Sequence, residues 1–362
     1  WVRSDTTVTR RGVRVGIVGL CYPLTPTVTL PGNVAHLRFD DDSATAVPIV
    51  RRLRKSGATV VVGVGHIPGS SDSLRHPTGD IARLARGVPG VDVWFGGHSH
   101  NQIVGEVNGV PTMISGAHGE VIGVCDLVVD PIRHWVIERH YRLETVYADQ
   151  LPPDSAMAAR VERWNHDIAP LAAVPLGTNA APITRSGGEN LMGEMVSDAM
   201  RAGIGVDIAM TNSGGLRADL AAGTITRGGI YEVMPFENTV VTLTLSGVEV
   251  RRVLEDGLRR GRVTQVSGIR YRFDLSAPPG SRVVALTRDD GSPLVDDHDY
   301  HVAVNNFMAD GGDEYDTLKH ARDKVDTRLT VRDRIEDYVR QRCRDGSPLK
   351  VVADGRVARV EH

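Results

Sequence analysis

Three histidines follow hydrophobic segments at positions where their side chains could share a metal site. His98 and His100 stand two residues apart in GGHSH, directly after the apolar run VDVWF, and His66 follows the apolar run TVVVGVG. The adjacent glycines remove side-chain bulk and permit unusual backbone angles, so the imidazoles can approach one another. Neutral imidazole is a common ligand for zinc and other transition metals. We therefore predict that His66, His98 and His100 bind metal, although a hydrogen-bonded loop histidine is the alternative for each one alone.

A second group of residues could hold a phosphorylated aromatic compound. SGGLR (213–217) combines two glycines, whose backbone amides can approach an anion, with the planar guanidinium of Arg217. Arg185 precedes an amphipathic segment and is left out of its apolar stripe. Phe236 and Phe307 lie in polar loops, and two facing rings would form a slot for a flat base. The alternative is a surface arginine and two phenylalanines of the core.

Strands and helices must bring these loops together. The buried-strand pattern VRVGIVGL (13–20) is followed by a helical pattern at 43–56 and by two further apolar segments that end at the histidines. This strand–helix–strand alternation predicts an α/β layer, in which ligands bind at the ends of the strands. The Asn-Gly pair in VNGV (107–110) predicts a hairpin, and a helix is predicted at 327–343.

Length and composition indicate an ordinary globular protein with more than one core. With 362 residues, the chain is long enough for two domains. We place the boundaries at 1–148, a linker helix within 149–175, and 176–362. The net charge of −3 excludes a general nucleic-acid or membrane-surface binder, and the sequence has no apolar run long enough to span a membrane.

The cysteines offer no metal motif. They are widely spaced and can form at most one disulfide, and we interpret them as small buried hydrophobic residues. They are Cys21, Cys125 and Cys343.

The histidine segments resemble a known family of phosphoesterases. VDVWFGGHSHNQ and the following NGVPTMISGAHGEVIG resemble the last metal motif of the calcineurin-like metallophosphoesterases, in particular their 5′-nucleotidase branch, and ATVVVGVGHIPG resembles the preceding strand of that branch. The resemblance implies that His66 and His98 bind one ion of a binuclear pair and His100 the other. The implied cofactors are two divalent ions, such as zinc or manganese, which can hold a bridging hydroxide and clamp a phosphoryl group.

The same resemblance implies earlier motifs that do not occur in the chain: an Asp-x-His pair, a bridging Asp and an Asn-His element. GNVAH (32–36) follows the first apolar strand, which is the wrong order, so no catalytic residue is identified. Because the chain starts at Trp1 and its first methionine is Met113, we expect further residues upstream. We expect this polypeptide to bind metals weakly and to hydrolyse phosphate esters poorly without them.

Four later motifs resemble the C-terminal domain of the same family, in which two phenylalanines sandwich a base. They are RSGGENLMGEMVSDAMR (185–201), TNSGGLRADL (211–220), MPFENT (234–239) and NNFMADGGDEY (305–315). The resemblance implies that Asp313 holds the ribose and that the arginines meet phosphate. The implied substrate-binding residues are Arg185, Asn212, Gly214, Gly215, Arg217, Phe236, Asn238, Phe307, Gly312 and Asp313.

These observations together predict an α/β protein with mixed α+β character. It consists of a partial metallophosphoesterase β-sandwich with flanking helices and a C-terminal α/β nucleotide-binding domain. The predicted function is metal-dependent hydrolysis of nucleoside 5′-phosphates, with a nucleotide and no nucleic-acid polymer as partner. The alternatives are a 2′,3′-cyclic-nucleotide phosphodiesterase with 3′-nucleotidase activity and a noncatalytic nucleotide-binding module. The resemblance implies a periplasmic or secreted location.

Overall fold

The computed structural model describes residues 3–187, 189–259 and 261–360. The chain divides into two compact units, the first containing the residues up to Thr25 and His36–Ala158, and the second containing Pro26–Ala35 and the residues from Ala159 onward. Strands and helices alternate in both, which confirms the predicted mixed α/β class. Gly188 of the 185–201 motif lies outside the described residues.

The interpretation of the three cysteines as buried residues was wrong. Cys21 is exposed, and Cys125 and Cys343 are half-buried.

The elements up to Thr145 are mainly strands. In chain order they are β1 (Asp5–Arg10), β2 (Val13–Leu20), α1 (Thr25–Val28), α2 (Pro31–Val34), α3 (Asp42–Lys55), β3 (Val60–Gly65), β4 (Ser70–Ser71), β5 (Pro77–Thr78), α4 (Gly79–Gly87), β6 (Val93–Phe95), β7 (Gln102–Val107), β8 (Val110–Ser115), β9 (Val121–Asp130) and β10 (Trp135–Thr145).

The remaining elements are a long helix and a second set of alternating strands and helices. They are α5 (Ser155–Ala172), β11 (Pro175–Asn179), α6 (Leu191–Arg201), β12 (Ile208–Thr211), β13 (Gly223–Thr226), α7 (Arg227–Val233), β14 (Thr239–Ser246), α8 (Gly247–Leu258), β15 (Gln265–Ser267), β16 (Ile269–Phe273), β17 (Val283–Arg288), β18 (Asp299–Asn305), α9 (Asn306–Ala309), α10 (Asp316–Lys319), β19 (Arg322–Thr330), α11 (Val331–Arg342) and β20 (Val357–Arg359). None of the helices in the described part of the chain is long and apolar enough to cross a membrane.

The described residues of the first unit form a six-stranded sheet in the order β1-β2-β3-β6-β8-β7. The four inner strands are parallel, so their carboxyl ends share one edge. The predicted hairpin joins β7 to β8, and its turn residues Asn108 and Gly109 both have positive φ angles, 52° and 72°. Such angles suit the tight turns of two-residue hairpins.

One apolar stripe of α3 forms much of the core beside this sheet. Ala46, Ile49, Val50 and Leu53, which recur at helical spacing, are all buried. Asp41 begins the helix by accepting a hydrogen bond from the backbone amide of Ala44, as an N-cap residue does. The helical pattern predicted at 43–56 is therefore confirmed.

The second unit has a five-stranded sheet among its described residues, in the order β15-β12-β18-β14-β19. Side chains alternate between its faces, because successive residues of a strand point to opposite sides. Val302 and Val304 of β18 pack in one core with α8, whereas Ala303 packs in a second core with α6 and α11. Both faces of this sheet are thus covered by helices.

The helix predicted at 327–343 begins later than expected. Residues 322–330 form β19, which pairs with β14, and Thr239 lies opposite Thr330. Helix α11 then starts at Val331, where the Thr330 side chain accepts a hydrogen bond from the Asp333 backbone amide. The prediction for 327–330 was wrong because pairing with a distant strand outweighs the local helical pattern.

Glu194 on α6 is a buried carboxyl group in a crowded acidic environment. Its side chain is 1% exposed, and neither carboxylate oxygen has a hydrogen-bond partner among the described residues. Carboxylate oxygens of Glu189 and Asp354 lie within 4.8 Å of one of its own. Arg356 Nε lies 3.9 Å from Glu194 Oε1, and the Arg356 guanidinium also pairs with Asp198. Burial and the neighbouring Glu189 raise the pKa of Glu194 to about 8, although Arg356 opposes this shift.

We expect the protein to lose stability as the pH rises from 5 to 9, because folded Glu194 keeps a proton that the unfolded chain releases. The stabilisation is complete below the unfolded value near 4.5 and is lost as the pH passes through the folded value of about 8. Glu194→Gln should raise the free energy of unfolding at pH 9 by on the order of 2 kcal/mol and flatten the profile. Urea unfolding across this range, with the exposed Glu232→Gln as control, measures both effects. An unchanged profile for Glu194→Gln would contradict this assignment.

Candidate functional site

The first candidate site lies at the carboxyl edge of the sheet in the first unit. Strands β3 and β6 are parallel neighbours, with Val64 opposite Phe95, so the residues that follow them meet at one edge. The rings of His66 and His98 are in edge contact there, with their centroids 5.1 Å apart and their planes at 79°. The structure therefore brings these two predicted ligands together.

Backbone geometry holds this loop close to His66. A Cβ atom on Gly97 would lie 3.1 Å from His66 Nδ1, so a larger residue at this position would crowd the imidazole. His98 and His100 both adopt left-handed conformations, with φ angles of 68° and 58°. Non-glycine residues rarely do so, and such strain often accompanies functional sites. The Asn101 side chain donates a hydrogen bond of 2.8 Å to the backbone oxygen of Gly69 and ties the two loops together.

His100 has a different neighbour. Its ring lies 5.8 Å from that of His118, which also has a left-handed backbone, with φ of 58°. Within the described residues, ligand atoms of the three predicted histidines do not all fall within 4.8 Å of one another. The prediction from sequence missed His118, although it lies in the GAHGEVIG segment of the motif.

The second candidate site lies at one edge of the five-stranded sheet in the second unit. Strand β12 runs parallel to β18, with Ala209 opposite Ala303, so both end at this edge. Strand β14 is antiparallel to β18 and begins here, with Val240 opposite Asn305. Three predicted substrate residues therefore share this edge: Asn212, Asn238 and Phe307.

Asp313 is the most firmly held of the predicted substrate residues. Its backbone is left-handed, with φ of 55°, and its side chain is 8% exposed. Asn212 Nδ2 donates to Asp313 Oδ2 at 2.7 Å, and Arg262 Nη1 donates to Asp313 Oδ1. A Cβ atom on Gly214 would lie 3.1 Å from Oδ2, so a larger residue at this position would crowd the carboxylate.

The half-buried Phe307 ring lies against Gly312. A Cβ atom on Gly312 would lie 2.5 Å from Phe307 Cδ2, well inside van der Waals contact. Phe236 is 42% exposed, and its backbone oxygen accepts a hydrogen bond of 2.9 Å from Arg332, which also pairs with Glu237. The ring contacts among the described residues do not include one between Phe236 and Phe307, and the predicted base sandwich stays a prediction.

Of the two predicted phosphate-binding arginines, Arg217 belongs to the SGGLR segment and Arg185 contacts the backbone of that segment. Arg217 Nη1 donates to the backbone oxygen of Gly214 at 3.3 Å. Arg185 donates to the backbone oxygen of Leu216 and pairs with Asp219 at 2.9 Å. The Asp219 carboxylate already offsets part of the Arg185 charge, so a bound phosphate would compete with it.

Arg262 is a site residue that sequence reasoning missed. It lies in a loop between α8 and β15, and the local pattern GRVTQ carries no signal that would connect it to Asp313. Its guanidinium reaches Asp313 across 51 residues of sequence, and only the tertiary fold brings the two together.

One family match lies within the second unit. Residues 171–320 match the family described as "5'-nucleotidase, C-terminal domain". This region contains all ten of the predicted substrate-binding residues, from Arg185 to Asp313.

Relatives resemble the chain over most of its length. An endonuclease, YhcR of Bacillus subtilis, is 27% identical over 82% of the chain, which spans 25% of that protein. A 5′-nucleotidase of Diplobatis ommata is 28% identical over 100% of the chain, which spans 68% of that protein. The solved structure of a 5′-nucleotidase precursor from Thermus thermophilus superposes with a TM-score of 0.86 at 28% identity, over 99% of this chain and 75% of that one.

Proposed function

We propose that the chain is a member of the 5′-nucleotidase family, that it binds nucleoside 5′-monophosphates in its second unit, and that it hydrolyses them, with metal ions, to nucleoside and phosphate. The observation that carries this proposal is the pairing of two features at one sheet edge. One is the Asp313 carboxylate, oriented by two donors, and the other is the Phe307 ring beside it on Gly312.

Each feature suits one part of a nucleotide. The Asp313 oxygens have lone pairs beyond those that accept from Asn212 and Arg262, and these can accept hydrogen bonds from ribose hydroxyls. The Phe307 ring offers a face on which a base can stack, and Phe236, which is exposed, would cover the other face of the base. Arg217 and the amides of the SGGLR turn would bind the phosphate.

The histidines of the first unit would bind the metal ions. His66 and His98 would hold one ion and His100 the other, and neutral imidazole is a common ligand for zinc and other transition metals. When bound, such ions supply Lewis acidity and a hydroxide nucleophile. Export to the periplasm or out of the cell stays a prediction.

Calorimetry and phosphate release test the proposal together. We expect the chain to bind adenosine and AMP, and we expect phosphate release from AMP to be detectable only with added Mn²⁺ or Zn²⁺. Tight adenosine binding with no phosphate release under any metal condition would favour the noncatalytic module. Absence of any nucleoside binding would contradict the proposal outright.

A second candidate is hydrolysis of 2′,3′-cyclic nucleotides, and the relative named an endonuclease supports a phosphodiester as substrate. The substrates AMP and 2′,3′-cyclic AMP distinguish the two. Faster phosphate-ester cleavage of the cyclic compound would replace our proposal by this alternative.

We expect His98→Ala to weaken Zn²⁺ binding by at least about tenfold, because it removes one of two adjacent imidazoles. Competition with a fluorescent chelator measures this affinity. His140→Ala, which changes an exposed histidine of β10, should leave the affinity unchanged and serves as the control. Equal affinities for the two variants would exclude His98 as a ligand.

A further inference from the structure

Asn305 is a fully buried amide that the predicted site did not include. It is the last residue of β18 and is 0% exposed. Its Oδ1 atom accepts a hydrogen bond of 2.8 Å from the backbone N–H of Met308, which caps the short helix α9. Phe307 lies on that helix, so Asn305 fixes the turn that carries the ring.

The same amide determines the direction of a chain of hydrogen bonds. Because a backbone N–H can only donate, Asn305 must present Oδ1 to Met308 and its NH₂ group to the other side. That group donates to Asn212 Oδ1 at 3.0 Å. Asn212 must then present its own NH₂ group to Asp313, which it does at 2.7 Å.

Asp313 accepts the last hydrogen bond of this chain. We call the hydrogen-bonded chain from the Met308 backbone N–H through Asn305 and Asn212 to Asp313 the relay. One carboxylate oxygen accepts a hydrogen bond from Asn212 and the other accepts one from Arg262, so the carboxylate is held from two sides. Asn212 and Asn305 are 4% and 0% exposed, so water has little access to replace their hydrogen bonds. The Met308 backbone N–H can only donate, and it therefore fixes the orientation of both asparagine amides. As a result Asn212 presents a hydrogen-bond donor to the Asp313 carboxylate.

We propose that Asn305 is a positioning residue that sets two substrate-contacting groups at once: Asp313 through the Asn212 relay, and Phe307 through the cap of α9. This inference rests on the proposed nucleotide function for the roles of Asp313 and Phe307. The relay itself rests only on the hydrogen bonds and burial of the three side chains.

Asn305→Asp separates the relay from the cap. The new carboxylate still accepts from Met308, but it has no NH₂ group to donate to Asn212. Asn212 is then placed between two carboxylates that both need a donor, and one of them loses its hydrogen bond. We expect adenosine affinity to fall at least tenfold. Asn305→Ala, which also removes the cap acceptor, should lower it further.

The control is Asn190→Asp, which makes the same chemical change at another buried N-cap of this unit. Asn190 caps α6 by accepting from the Gly193 backbone N–H, and it takes no part in the relay. We expect less than a twofold change in adenosine affinity for this variant. Equal losses for Asn190→Asp and Asn305→Asp would reduce the effect to a general loss of stability and overturn the proposal.

The double variant Asn305→Asp/Asp313→Asn tests the relay without any ligand. The swap reverses the polarity of the relay: Asn212 turns its NH₂ group toward position 305, and the new amide at 313 donates to Asn212 Oδ1. We expect Asn305→Asp alone to raise the unfolding equilibrium constant by one to two orders of magnitude, and the swap to recover at least tenfold of it.

These measurements distinguish the hydrogen-bond relay from the positioning role of Asn305 in nucleoside binding. The stability of the swap is compared with the sum of the effects of Asn305→Asp and Asp313→Asn, because Asp313→Asn alone accounts for the lost ion pair with Arg262. A swap no more stable than this sum overturns the relay, whatever the ligand results are. Recovery together with unchanged adenosine affinity in Asn305→Asp overturns the positioning role. A wild-type protein that binds no adenosine contradicts the proposed function and with it the positioning role, and recovery in the swap would then support the relay alone.

Discussion

Gly312→Ala will weaken adenosine binding by about 1–3 kcal/mol, the contribution expected of a stacked base. The added methyl group would lie 2.5 Å from Phe307 Cδ2, so the ring must leave its position on the glycine. Phe307 is half-buried on the short helix α9, and its movement removes one face of the proposed base slot. Titration calorimetry with adenosine measures the loss directly.

Two further variants show whether the ring is responsible. Phe307→Ala removes the ring itself, and we expect it to cost about as much binding free energy as Gly312→Ala. Gly32→Ala places a methyl group where no atom lies within 4 Å and should change nothing. If Gly312→Ala binds adenosine like the wild type, Phe307 does not stack on the base.

Gly63→Ala will destabilise the first unit by about 2–4 kcal/mol, because the core has no space for the added atom. Gly63 on β3 lies directly opposite Trp94 on β6, and a Cβ atom would lie 2.6 Å from Trp94 Cδ2. The indole is 0% exposed and cannot move into solvent. The strand, the ring or both must shift, and the packing of the sheet core is lost.

Gly19→Ala on the neighbouring strand β2 is the matched control. Its nearest contact would be a backbone oxygen 4.0 Å away, so the same change should be nearly neutral. Thermal unfolding followed by near-ultraviolet circular dichroism reports on the aromatic environment, including that of Trp94. Similar melting temperatures for the two variants would show that the Trp94 packing can relax, contrary to this prediction.

The strands and helices that position both sites follow from short-range patterns. The apolar run of 13–20 and the helical spacing of 43–56 are properties of neighbouring residues, and the structure confirms the strand and the helix. The strand is not buried along its length as predicted: within 13–20 only Gly16 and Val18 are buried. Asn108 and Gly109 likewise form the hairpin turn because both residue types tolerate the positive φ angles that the turn requires. Local patterns failed at 327–330, where a distant strand provides the hydrogen bonds.

The sequence by itself also indicated which loops hold the candidate groups. Histidines after two apolar runs, and phenylalanines beside asparagine, aspartate and glycine, identified strand ends at which side chains can gather. The parallel pairing of β3 with β6, and the pairing of β12 and β14 with β18, then bring those loops together. Spacing alone does not specify which side chains touch.

Only the tertiary structure decided how the candidate groups are held. Asp313 meets Asn212 across 101 residues and Arg262 across 51, and Asn305 meets Asn212 across 93. The contact of the His100 ring with the His118 ring depends on the path of the loops. No local sequence pattern predicts such contacts. A hydrogen bond between distant segments can form only when the sheet places those segments at the right distance and in the right direction. The sequence therefore determined the kinds of group at each site, and the fold decided their partners.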